Sequence, residues 1–173
     1  MSEFTPSNFA HLPGTEFYEA VNQGLDALLA FEKDGVAQLA NASSYLKYHL
    51  TEINWVGFYL LRDKVLVLGP FQGLPACTRI PVGRGVCGTA AQACKTIVVD
   101  DVDAFPGHIA CDSNSRSEIV VPLEWNGSLV GLLDVDSPVL SRFVAEHAAG
   151  IVRLAKTVEK SVNWATLFPS VSS

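Results

Sequence analysis

The chain reads as an α+β domain built on a central antiparallel sheet with helices at both ends. Three observations carry that expectation. Apolar residues recur at three- and four-residue steps near both termini, paired strand-like runs fill the middle, and one of those pairs flanks Asn126-Gly127, a strong hairpin signal.

The first fourteen residues, MSEFTPSNFAHLPG, read as a loose arm, because Pro6, Pro13 and Gly14 offer turns without periodicity. From Thr15, a candidate N-cap, the residues Phe17, Val21, Leu25, Leu28 and Leu29 mark one helical stripe. A second helix is expected over about Val36 to Leu50, with Leu39, Tyr45, Leu46 and Leu50 on its apolar side. Two strand-like runs follow, INWVGFYLL and KVLVLGPF, with Arg62 and Asp63 between them as the turn of a hairpin. The run GVCGTAAQAC reads as a short helix of small residues and TIVVDDV as a strand. SEIVVPLEW and SLVGLLDVDS form the hairpin around Asn126-Gly127. A last helix is expected from Ser141 to about Thr166, striped by Phe143, His147, Ile151, Leu154 and Val158. The domain is thus placed at 15–166, between the arm and a fraying tail at 167–173.

The 173 residues suit a single domain with a sizeable core. Twelve basic against eighteen acidic residues give a net charge of −6, and no run of Lys or Arg occurs. Nucleic acid and anionic membrane, which need clustered positive charge, are therefore not expected partners. The start lacks a basic and apolar leader, and no uncharged stretch reaches membrane-spanning length, so a cytoplasmic location is the expectation.

Chemistry is suggested at three places. Along the last strand Val130, Leu132, Asp134 and Asp136 share a face, with Leu129, Gly131, Leu133 and Val135 on the other. The two carboxylates are either a strand emerging into solvent, with Asp136 capping the turn at Ser137-Pro138, or the rim of a pocket. Glu118 on the neighbouring strand would make a third; such a group binds an ammonium or holds a proton. Trp55 and Tyr59, four apart on one face with Gly57 between them, read either as core or as a pocket wall, the glycine leaving room between the rings.

The four cysteines, Cys77, Cys87, Cys94 and Cys111, are the third place. No C-x-x-C pair occurs, only a lone H-x-x-C at His108 and Cys111, so no metal site is expected. Cys94 closes the helix of small residues and reads as a buried hydrophobe. Cys111 follows the Pro106-Gly107 turn among small polar residues, where backbone N–H groups could lower its pKa. Cys77 also sits in a loop, and two loop cysteines are what a thiol-redox cycle needs.

Four segments, NWVGFYL, GPFQGLPACTRIPVGRGVCGTA, HIACDSNSRSEIVVPL and GLLDVDS, closely resemble the free methionine-(R)-sulfoxide reductases, which are single GAF-domain enzymes. The spacing of Cys77, Cys87 and Cys111 resembles that family's three-cysteine pattern, from which Cys94 stands apart. The resemblance implies a GAF-like sheet with the terminal helices on one face and a ligand pocket on the other. It implies Cys111 as the attacking cysteine, Cys77 as its resolving partner and Cys87 as a third participant. It further implies Glu118, Asp134 and Asp136 as ligands of the substrate's amino group and sulfoxide, and Trp55 and Tyr59 as walls around the methyl-sulfoxide end. The implied partners are free methionine-(R)-sulfoxide and thioredoxin or a similar dithiol reductant; no metal, flavin or nucleotide cofactor is implied. The leading helices are candidates for pairing subunits into a homodimer. A GAF-type sensory module that binds a small ligand without catalysis is the competing expectation.

Overall fold

The computed structural model describes residues 8–107 and 112–168. His108 and Cys111, singled out above, lie outside the described residues, as do the first seven residues and the last five. Six strands form one antiparallel sheet in the order β3-β2-β1-β6-β5-β4, where β1 is Trp55–Arg62, β2 Val65–Gln72, β3 Arg79–Pro81, β4 Ile97–Val99, β5 Ser117–Trp125 and β6 Ser128–Ser137. The helices are α1 (Gly14–Ala30), α2 (Gly35–His49), α3 (Gly85–Ala93), α4 (Ala145–Ser161) and the short α5 (Trp164–Leu167).

The sheet separates two cores. On one face Val56, Phe58 and Leu60 of β1, Ile119, Val121 and Leu123 of β5, and Leu133 and Val135 of β6 pack against Val21, Leu25, Leu39, Leu46, Ile151, Leu154 and Val158 of the terminal helices. On the other, Trp55, Tyr59, Leu66, Ile80, Val120 and Leu132 meet Val86, Cys87, Ala90 and Ala91 of α3. Helices at both ends of the chain thus share one face, as expected, and α3 covers the other together with Ala76, Cys77, Val102 and Phe105. The close seat of α3 depends on Gly88, where a Cβ would run into the carbonyl of Pro81.

Several expectations shift. The first hairpin turns at Asp63-Lys64, one residue later than predicted, with both residues in the left-handed region (φ 46° and 65°). Asn126 and Gly127 turn in the same way, at φ 51° and 74°. Thr15 lies inside α1 rather than at its cap, its hydroxyl donating to Glu146, whereas Asp34 caps α2 by accepting from the Ala37 N–H. The last helix begins at Ala145 and ends at Ser161. At the break the buried Gln38 accepts from the Asn163 N–H and donates to the carbonyls of Leu29, Glu32 and Ser161, tying α1, α2 and α4 together.

The face assignment on β6 also needs correction. Leu123 pairs with Gly131 but Glu124 with Leu129, so Val130 is an extra residue on β6. This bulge turns Val130 to the helix side and Leu129 to the α3 side, the reverse of plain alternation, while Leu132, Asp134 and Asp136 keep the predicted face.

Gly57 does not leave the predicted gap. A Cβ there would collide with the Cβ of Phe71 and stand 2.6 Å from the Trp55 ring, which is stacked on Phe71 at 5.3 Å between centroids. Gly57→Ala should lower stability by roughly 1–3 kcal/mol, read as a lower urea midpoint at unchanged slope. An unchanged midpoint would mean that the indole is not wedged there.

Candidate active site

Strands β5, β6 and β1 lie side by side and deliver the site. Glu118 is directly across from Asp136, and Asp134 is directly across from Val120, so the three acids occupy neighbouring positions on the α3 face. On β1, Trp55 pairs with Asp136 and Gly57 with Asp134. Helix α3 lowers Cys87 onto this row: its Sγ lies 3.2 Å from Asp134 Oδ2 and 3.8 Å from Glu118 Oε1. Glu118, Asp134 and Cys87 are 5%, 6% and 4% exposed, which excludes the solvent-facing reading. Asp136 is half-buried, with its carboxyl hydrogen-bonded to Ser115. Nor does it cap the next turn; the Val139 N–H donates to Ser137 Oγ instead.

Among the described residues none of the three acids has a salt-bridge partner. Burial therefore dominates their ionisation. It holds Glu118 well above the carboxylate range, reinforced by the charges of Asp134 and Asp136. It raises Asp136 likewise, with the charges of Asp134 and Asp112 adding to it. Asp134 is pushed up to about 7, tempered by hydrogen bonds from Cys87 and Glu118. The Cys87 thiol is raised too, first by burial and then by the Asp134 charge, so at neutral pH it is a protonated donor rather than a thiolate. Asp134 Oδ1 is buried without a hydrogen-bond partner among the described residues.

Two small cavities meet at this row. One, of about 30 Å³, is bordered by Arg84, Cys87, Ser115 and Glu118. The other, of about 10 Å³, lies against Trp55, Tyr59 and Ala76. Asp112, Asp134 and Asp136 border both.

Trp55 and Tyr59 are buried and stacked at 6.1 Å, yet they are more than core. Trp55 Nε1 donates to the Leu74 carbonyl and the Tyr59 hydroxyl to the Cys77 carbonyl. The aromatic pair thereby fixes the loop that carries Cys77, a half-buried residue that is disulfide-bonded. Cys87 and Cys94 are free. Cys94 is exposed at the left-handed C-cap of α3 (φ 48°), not buried as expected.

Asn54 carried no role in the sequence reading. Its Nδ2 donates to Asp112 Oδ2 and Ser115 Oγ, both at 2.9 Å, and its backbone N–H to the Asp136 carbonyl. It anchors the chain immediately after Cys111 to the acid row. Nothing in periodicity marks such a residue, because its partners are about sixty positions away.

The GAF domain model matches residues 34–162. The free methionine-R-sulfoxide reductase of Escherichia coli is 50% identical over 161 residues, covering 91% of this chain and 98% of the relative. The chain belongs to the free methionine-R-sulfoxide reductase family. The Saccharomyces cerevisiae member is 39% identical over 88% of this chain and 89% of its own. The free methionine-R-sulfoxide reductase of Neisseria meningitidis, solved in complex with its substrate, superposes with a TM-score of 0.82 at 47% identity, covering 96% of each chain. This GAF-domain chain is accordingly an oxidoreductase of that family.

The burial of Asp134 has a consequence for stability. Because its folded pKa of about 7 exceeds the unfolded value near 3.8, the fold binds the extra proton, and stability is lost as pH rises from about 4 through about 7. Asp134→Asn cannot ionise. Its unfolding midpoint should therefore gain on that of the unmodified protein between pH 5 and 8; a difference independent of pH would contradict the raised pKa.

Proposed function

We propose that the protein reduces free L-methionine (R)-S-oxide to L-methionine by thiol chemistry. The observation that carries this is the acid row facing a cavity: among the described residues it has no salt-bridge partner, Asp134 Oδ1 has no hydrogen-bond partner, and the one guanidinium at the cavity, Arg84, is exposed. A free amino acid brings an ammonium that pairs with Asp134 or Asp136, while a carboxyl still protonated at neutral pH, Glu118 foremost, can donate to the sulfoxide oxygen. Accepting the amino acid requires the two water-sized cavities to join across Asp112, Asp134 and Asp136, which border both. The rings of Trp55 and Tyr59 would then flank the methyl end.

In the proposed cycle the Cys111 thiolate attacks the sulfoxide sulfur as the acid protonates the oxygen. Methionine leaves, and the oxygen is transferred to give a Cys111 sulfenic acid. The Cys77 thiol condenses with it, releasing water and forming a disulfide. Thioredoxin or a similar dithiol protein reduces that disulfide and is itself oxidised. The disulfide-bonded state of Cys77, with Cys87 and Cys94 free, supports Cys77 as the resolving residue. Among the described residues no helix is long and apolar enough to cross a membrane, which is compatible with work in a reducing cytoplasm.

Cys111→Ser should abolish methionine formation from the free (R)-sulfoxide; wild-type turnover in that variant would remove Cys111 from the role. Cys77→Ser should release about one equivalent of methionine and stall, whereas sustained cycling with thioredoxin would contradict its assignment. A sulfoxide-containing peptide lacks the ammonium and should be turned over at least about 100-fold more slowly than the free amino acid. Equal rates would reject the role given to the acids. A ligand-binding module without catalysis would release no methionine in any of these assays.

A further inference from the structure

The row of acids and Cys87 has a second capacity. The geometry points to a binding site for a borderline divalent cation of the Zn²⁺ class, held by Cys87 Sγ, one Glu118 oxygen and one Asp134 oxygen. Ligand atoms from these three buried residues lie within 4.8 Å of one another. In a tetrahedral zinc centre, bonds of about 2.3 Å to sulfur and 2.0 Å to oxygen set each sulfur–oxygen edge at about 3.5 Å. The two sulfur–oxygen distances here, 3.2 Å and 3.8 Å, bracket that edge, so little movement is needed.

Two further observations favour a ligand there. Among the described residues Asp134 Oδ1 is buried without a partner, and the adjoining cavity of about 30 Å³ can supply a water as fourth ligand. Cys87 is also the third residue of α3, where the helix N-terminus favours a thiolate once the cation displaces its proton. Arg84, exposed at the same cavity, opposes the cation by its like charge and limits affinity. Once the cation has displaced the protons of Cys87, Glu118 and Asp134, three anionic ligands stand against one exposed guanidinium. No C-x-x-C spacing announced this set, because its members come from α3, β5 and β6.

The metal site rests on ligand geometry alone. Only its overlap with substrate rests on the function proposed above, since the cation would stand where the ammonium is expected. The test uses the full chain with Cys77→Ser, Cys94→Ser and Cys111→Ser, which leaves Cys87 as its one thiol, with circular dichroism to establish that it is folded. Titration with Cd²⁺ should give one equivalent of thiolate-to-metal charge-transfer absorbance, which Zn²⁺ displaces. Adding Asp134→Asn should weaken binding by on the order of 100-fold; if that variant does not fold, Glu118→Gln serves the same comparison. Absence of the band in folded protein, or equal affinity with and without the carboxylate, overturns the site. Free methionine-(R)-sulfoxide should raise the apparent Kd for Cd²⁺. A carboxylate-dependent band that the amino acid does not perturb would uphold the metal site and count against the substrate reading.

Discussion

The enclosure of three carboxyl groups on adjacent strands, with no salt-bridge partner among the described residues, is the constraint around which the molecule is organised. An isolated buried charge is expensive enough that the group gives up its ionisation instead. Sharing protons is how this row exists at all: Glu118 and Asp134 hydrogen-bond to each other, Cys87 donates to Asp134, and Ser115 supports Asp136. The row thus holds protons that isolated carboxyl groups would have given up at neutral pH. In the function proposed above, a ligand with a positive end would gain most from this row, which would make charge the first criterion of selection.

The surrounding architecture serves to keep that row in place. Ladders on both sides fix the register of β6, and α3 presses Cys87 down from above. Two loops are then pinned to the same frame by polar side chains of β1 and the residue before it. Trp55 and Tyr59 hold the Cys77 loop by its carbonyls, and Asn54 holds the chain just beyond Cys111. The aromatic residues, core or pocket wall in the sequence, are buried, border the smaller cavity and also clamp the Cys77 loop.

Much of this was legible before any coordinates. The hairpin strands SEIVVPLEW and SLVGLLDVDS match β5 and β6 residue for residue, because alternation and Asn-Gly chemistry are local signals. Glu118, Asp134 and Asp136 were expected together because strand parity and a neighbouring hairpin strand are enough to place them. What escaped was non-local or short. Strand β3 is three residues long and exists by pairing with β2; the Val130 bulge is a mismatch between two strands; Asn54 acts across about sixty positions. Cys94 was misplaced because a sequence does not reveal that its helix stops there in a left-handed turn facing solvent.

The extra residue at Val130 separates the two ends of the β5–β6 hairpin. Between Asn126-Gly127 and the bulge, the side-chain phase is set by the tip; beyond it, β1 resets the phase independently. A lengthened or re-sequenced tip can be absorbed in this joint without rotating Asp134 or Asp136 off their face. The far end of the hairpin is therefore free to drift over evolution, or to accept a grafted peptide, while the end that carries the acid row stays in step.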